Sequence, residues 1–596
     1  MASTLGLKAA AAVALALSLG AEPAMAACQI GQIAQLPVTM QGLQPQVPAK
    51  INGTEVNFIA DSGATFSIIA PEWATRLGLS TSPVPGLVGL GENGPVQLKL
   101  AVVKVLTLAG VDIANAQFLV GGTEVGAAGV LGENVLGVAD VEYDLASGAI
   151  RLMKPQGCGG KPLAYWAGTK PVPSAVIGPQ RSRHEIVFDV SVNGRHVWAE
   201  LDSGSPVSML SLRTARSVGL QVDETKPTGV AGGLGKRLVR TWVVQASSVK
   251  IAGEEIRNTH LMVGDFADPM IEMVLGADFL LSHRVYVANS QGKIWFTYEG
   301  GPVFNLGGQT LAQAGASSKP TASPIAATSP AAGSGDSAAL IREGSALTAR
   351  RDFDAAITDL SKAAELDPKS AQARYELARA RLGKAVTDQG EAAEARADLD
   401  AALKLEPGNL EALLLRAELR AATKDTQGAA QDLEAADKTA GPSSDARLAM
   451  ARILDSIADL AGAVRQLDLW IRAHPDDAKM SLALNARCRA QALLGTELQG
   501  ALADCNRALR LLPKSPGFLD SRGLVRLRLG QNDAAIADYD AALAKAPKIA
   551  WSLYGRGLAE EAKGEADKAK ADLAAAKAAD PTIAEKAAKW GIGKAP

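Results

Sequence analysis

Two tripeptides in this chain could do chemistry together: Asp61-Ser62-Gly63 and Asp202-Ser203-Gly204. A single Asp-Ser-Gly is an ordinary turn sequence. Here, however, each copy ends a short apolar run, and each Asp lies nine residues after the Asn of an Asn-Gly pair, Asn52 and Asn193. Two carboxyls brought into contact cannot both ionise cheaply, so they share one proton. The ionised partner can then draw a proton from water while the protonated partner donates one to an oxygen. Such a pair titrates as a unit.

Bringing the two Asp residues together requires two similar scaffolds, and the sequence contains them. Each Asp-Ser-Gly leads into a helix-like stretch, PEWATRLGL or SLRTARSVGL. Further on, each copy has an apolar run ending in Leu-Gly: GVLGENVLG with Gly132, and MVLGADFLL with Gly276. The steps from Asp to Gly are 71 and 74 residues. A polar turn and a strand close each copy, SGAIRLM and SQGKIWF. Short alternating runs rich in Val, Ile, Thr and Gly, separated by Asn-Gly, Ala-Gly and Pro, predict a mainly β region from 27 to about 305. It reads as a duplicated domain, with lobe 1 over 27–165 and lobe 2 over 166–305.

Asp-Ser-Gly-Ala/Ser followed by a hydrophobic-hydrophobic-Gly motif resembles the retropepsin-like (retroviral-type) aspartic proteases, known in retroviruses and bacteria. The resemblance covers about residues 35–300, and LGAD fits the second motif better than LGEN. It implies an all-β bilobal fold, with one catalytic Asp from each lobe, Asp61 and Asp202. Ser62 and Ser203 match the hydroxyl residues that brace the catalytic loops. Gly63 and Gly204 match the tight-turn glycines, and Gly132 and Gly276 the second-motif glycines. Residues 88–96 and 229–239 stand in order for mobile flaps, although neither carries an aromatic at its tip. Glu133 and Asp278, beside the second-motif glycines, read as structural acids rather than catalytic ones. The implied reaction is peptide-bond hydrolysis by an endopeptidase that needs no cofactor or metal. The contrasting reading is a non-catalytic scaffold with a degenerate protease domain. Two lobes in one chain suggest a monomer with intramolecular pairing, and pairing between chains is the other arrangement.

The second half of the chain is different in kind. Residues 306–336 are small, Pro-rich and nearly uncharged, which predicts a flexible linker. From 337 to 596, Ala, Leu, Arg and Asp recur at helical spacing, and Pro513, Pro547 and Pro581 stand 34 residues apart. That is the tetratricopeptide period. Gly523, Ala535, Tyr539 and Ala542 recur as Gly557, Ala569, Leu573 and Ala576, and the first unit has Gly344, Ala356, Leu360 and Ala363. The region resembles tetratricopeptide repeats, about seven of them. The second has an insertion near GKAVTDQGEAAE, and the fourth has Trp470 at a position usually small. Such solenoids bind peptides or partner proteins on a concave face.

Bulk composition narrows the setting. The 596 residues carry a net charge of −2, which argues against nucleic acid or an anionic membrane as partner. Lys8, the apolar run 9–20 and Ala24-Met25-Ala26 predict a signal peptide cut after Ala26, and hence a periplasmic or secreted protein. Met25-Ala26-Ala27-Cys28 is a poor lipobox, which argues against a lipoprotein. No later apolar run is long enough for a transmembrane helix. Export permits disulfides, and the four cysteines allow three pairings. Cys28 with Cys158, bracketing lobe 1, and Cys488 with Cys505, in one helical hairpin, are the favoured pairs. No His/Cys cluster suggests a metal site.

Overall fold

A computed structural model describes residues 28–91, 94–122, 126–178, 185–232, 238–266, 268–304, 336–386, 388, 390–475 and 477–593. The expected signal peptide therefore lies outside the described residues, as do all but the last residue of the expected linker.

Each lobe is a twisted sheet wound around its own Asp-Ser-Gly loop. In lobe 1, Gln44–Ile51 pairs with Thr54–Ala60 through the Asn52-Gly53 turn. Asn52 and Gly53 both have positive φ, 50° and 86°, the geometry a two-residue hairpin requires. Asn193 and Gly194 repeat it at 50° and 77° between Val187–Val192 and Arg195–Leu201. The second strand of each hairpin runs parallel to the second-motif strand, Gly129–Leu131 or Met273–Leu275, and ends at Asp61 or Asp202. The helix-like stretches form short helices, Pro71–Arg76 and Leu212–Ser217.

A third sheet joins the lobes. Its order is Gln29–Pro37, Ala149–Gln156, Asp140–Asp144, His283–Ala288, Lys293–Tyr298, Ser174–Val176. The central pair is antiparallel, with Glu142 opposite Tyr286. Three strands before that seam come from lobe 1 and three after it from lobe 2, so the sheet straddles a pseudo-twofold axis. Buried residues of both lobes form one continuous core. Cys28–Cys158 and Cys488–Cys505 are both disulfide-bonded. The first pins the outer strand of the shared sheet, and the second staples helix Met480–Leu494 to Leu498–Leu511.

The C-terminal region is an array of fourteen helices among the described residues, from Ser337–Ala349 to Ala566–Ala579, closed by Ile583–Ala588. Small residues allow close packing within each pair. A Cβ at Gly523 would lie 2.7 Å from the Tyr539 ring, and one at Gly344 would lie 2.4 Å from Leu360. Trp470 is fully buried and donates its indole N–H to Asp445 at 2.7 Å. The array is packed on lobe 1: Ala346 and Ala349 of its first helix belong to the lobe core. Gly148 has φ of 68°, and a Cβ there would come within 2.4 Å of Arg342. Gly292, its counterpart in lobe 2, has open space around it.

Candidate active site

The structure brings Asp61 and Asp202 into hydrogen-bonding contact across the axis. Each is held by its own loop. Asp61 Oδ1 accepts the N–H groups of Gly63 at 3.0 Å and Ala64 at 2.9 Å. Asp202 Oδ1 accepts those of Gly204 at 2.9 Å and Ser205 at 3.0 Å. The glycines are required for closeness rather than for an unusual φ. A Cβ on Gly63 would fall 2.5 Å from the Asp202 carboxyl carbon, and one on Gly204 would fall 2.4 Å from that of Asp61.

Ser62 and Ser203 lock the loops together. Each backbone N–H donates to the other's hydroxyl, and each hydroxyl donates onward to the opposite strand, Ser62 to Leu201 O at 2.9 Å and Ser203 to Ala60 O at 2.8 Å. Both serines are buried. The second-motif glycines pass directly beneath. A Cβ on Gly132 would lie 2.4 Å from Ala64 O, and one on Gly276 would lie 2.6 Å from Ser205 O.

A second brace is less visible in the sequence. Asn134 Oδ1 accepts both the N–H and the hydroxyl of Ser67, at 2.7 and 2.8 Å. Asp278 Oδ1 does the same for Ser208, at 2.8 and 2.6 Å. The signal was present: both serines stand six residues after the loop Asp, and both acceptors two after the second-motif Gly.

The electrostatics are asymmetric. Burial, then the charge and hydrogen bond of Asp202, push the Asp61 carboxyl well up. Burial also raises Asp202, but hydrogen bonds from Asp61, Ser205, Gly204 and Gly63 oppose the rise. Both carboxyls are thus raised, and they share one proton as a pair. Behind Asp61 lies a pair absent from lobe 2. Buried Glu133 is hydrogen-bonded to Tyr143 at 3.3 Å, and the Tyr143 phenol also feels Ser62 and Asp61. Burial pushes Glu133 up to about 8. Burial likewise lifts Asp278 to about 6, against the pull of its Ser208 and Phe279 hydrogen bonds.

Over lobe 1, Thr81–Gly91 and Gly94–Leu108 form a hairpin, paired as far as Gly91 opposite Gly94. The tip, 92–93, and residues 233–237 of the corresponding lobe 2 segment lie outside the described residues. A cavity of about 320 Å³ opens at the hairpin base among Pro71, Val84, Leu98 and Val120, and no catalytic-loop residue lines it. Phe66, five residues past Asp61, is 53% exposed. Among the described residues, no three His, Cys, Asp or Glu side chains converge as a metal site.

Comparison with known proteins agrees with this architecture. A family model described as aspartyl protease matches twice, at residues 47–137 and 188–279. A tetratricopeptide repeat model matches at 341–384, 381–445 and 521–582. The chain is thus a tandem pair of aspartyl protease family lobes followed by a tetratricopeptide array. Solved structures similar to it include a tetratricopeptide repeat protein from Parabacteroides merdae, 17% identical over 42% of this chain and 95% of that one, with TM-score 0.33. Another is PilW, a type IV pilus biogenesis factor, 20% identical over 37% of this chain and 97% of that one, with TM-score 0.30. No curated protein matches the chain.

Proposed function

We propose that this protein is an exported aspartic endopeptidase that hydrolyses peptide bonds with a water activated between Asp61 and Asp202. The observation that carries the reading is the contact of the two carboxyls, each fixed by two amides of its own loop. The ionised member of the pair takes a proton from the water as it attacks the carbonyl carbon. The protonated member donates to the carbonyl oxygen, and the leaving amine receives its proton from the pair as the tetrahedral species collapses. Ser62, Ser203 and the four glycines hold the loops at the approach this transfer needs. Two bonded disulfides are compatible with export. No described helix is long and apolar enough to cross a membrane. The tetratricopeptide array supplies a surface for a substrate or partner protein.

The test is peptide hydrolysis by the mature protein across acid to neutral pH, beside Asp61→Asn and Asp202→Asn, with a statine-type inhibitor. Loss of cleavage in both variants and with the inhibitor supports the dyad. A silent wild type on a broad peptide library favours the scaffold reading.

A further inference from the structure

Strand Thr39–Gln41 is the outer strand of the lobe 1 sheet and pairs on one side only, with Gln44–Ile51. Met40 stands opposite Pro45, which has no N–H to give, so the Met40 peptide groups face the open edge. An unpaired edge is costly to bury and prone to pair with another chain. Here helices of the tetratricopeptide array cover it. Met40 N–H donates to Ser345 Oγ at 2.9 Å, and Met40 O accepts from Arg379 Nη1 at 3.0 Å. Gln41 donates to Tyr375 OH at 3.0 Å and accepts from Arg379 at 3.3 Å.

The positions of these residues matter. Ser345 and Arg379 are 34 residues apart, one repeat, and so occupy equivalent places on the first helices of successive repeats. Tyr375 lies one helical turn before Arg379, on the same face. Arg379 is held in place by buried Glu376 at 2.6 Å, which Gln372 supports in turn. A buried ion pair is a poor stabiliser unless its remaining hydrogen-bonding groups are used. This one uses them to hold an extended backbone. At the other end of the array, Arg528 donates to Trp590 O and Gly591 O, and Gly593 packs against Tyr554 and Leu558. Between the two ends, exposed ion pairs link first helices of successive repeats, Arg452 with Glu418 and Arg489 with Asp455.

We propose that the first two repeats are a peptide-binding site whose ligand is the protein's own edge strand Thr39–Gln41, read in extended form by Ser345, Tyr375 and Arg379. The array is then a fixed arm of lobe 1. This inference stands whether or not Asp61 and Asp202 cleave peptides.

The test is hydrogen exchange at the Met40 amide in the full chain, together with small-angle scattering. Wild type should protect Met40 and scatter as one compact body. Ser345→Ala removes the acceptor and should speed Met40 exchange at least tenfold, and Ser345→Ala with Arg379→Ala should enlarge the radius of gyration. If the double variant does not fold, Tyr375→Phe, which alters only the Gln41 contact, should still raise exchange over 39–41. Arg452→Ala, two repeats along, should leave Met40 unchanged. An unprotected Met40 in wild type, or an equal effect of Arg452→Ala, would overturn the proposal.

Discussion

Ser62 and Ser203 exchange hydrogen bonds across the pseudo-twofold axis: the N–H of each donates to the hydroxyl of the other, at 3.0 and 2.9 Å. Because each hydroxyl also donates to the opposite lobe, truncating one orphans a buried N–H and a buried carbonyl at once. Ser203→Ala should cost about 1–3 kcal/mol of stability. It should lower kcat more than it raises KM, because it loosens the dyad rather than the substrate grip. Ser203→Thr, which keeps the hydroxyl, should restore most of both. Kinetics and thermal unfolding of the three proteins check this.

Phe66 offers a large apolar face beside the Asp61 loop, where lobe 2 has the smaller, partly buried Val207. An exposed aromatic at a cleft is a ready contact for an apolar substrate side chain. Phe66→Ala should raise KM several-fold for peptides with bulky apolar residues and leave kcat within about twofold. A change confined to kcat would place Phe66 outside the substrate contacts.

Glu133 gives a pH signature of its own. Its folded-state pKa, about 8, lies above the ordinary carboxylate value of 4.5. The folded protein therefore holds a proton that the unfolded chain has lost between those values. The stability from neutral Glu133 is fully present below about 4.5 and is lost as pH rises through about 8, at up to roughly 1.4 kcal/mol per pH unit. Glu133→Gln, neutral at every pH, should flatten that slope and stabilise the protein at neutral pH. Urea unfolding of both proteins from pH 5 to 8 would show it, and parallel slopes would contradict it.

The disulfides should contribute unequally. Cys28–Cys158 closes 130 residues and Cys488–Cys505 closes 17. Loop-closure entropy then assigns them about 5 and about 3 kcal/mol. Cys28→Ser with Cys158→Ser should lower the Tm of the β region more than Cys488→Ser with Cys505→Ser lowers that of the array. Calorimetry of the two variants separates the effects.

Much of the site was legible because its devices repeat. The nine-residue step from Asn to Asp, the paired Leu-Gly runs and the 34-residue proline period are local signals written more than once. The Ser67–Asn134 and Ser208–Asp278 braces repeat in the same way but use residues too common to stand out singly. Tyr143 does not repeat: the register of the shared sheet leads from lobe 1's Glu142-Tyr143 to an apolar Val285-Tyr286-Val287 in lobe 2.

By itself, then, the sequence determined the two lobes, the paired Asp-Ser-Gly loops and the solenoid, and it left the four cysteines with three possible pairings. Each rests on spacing along the chain, which hairpin turns, helical period and close glycine packing translate directly into local structure. Only the tertiary structure brought the two carboxyls into buried contact, because that depends on the loops meeting across the axis through Ser62 and Ser203. It alone decided that the array sits on lobe 1, because Met40 meets Ser345 and Arg379 from more than three hundred residues away. Contacts of that kind form from shape and unpaired peptide groups, and no local pattern of residues encodes them.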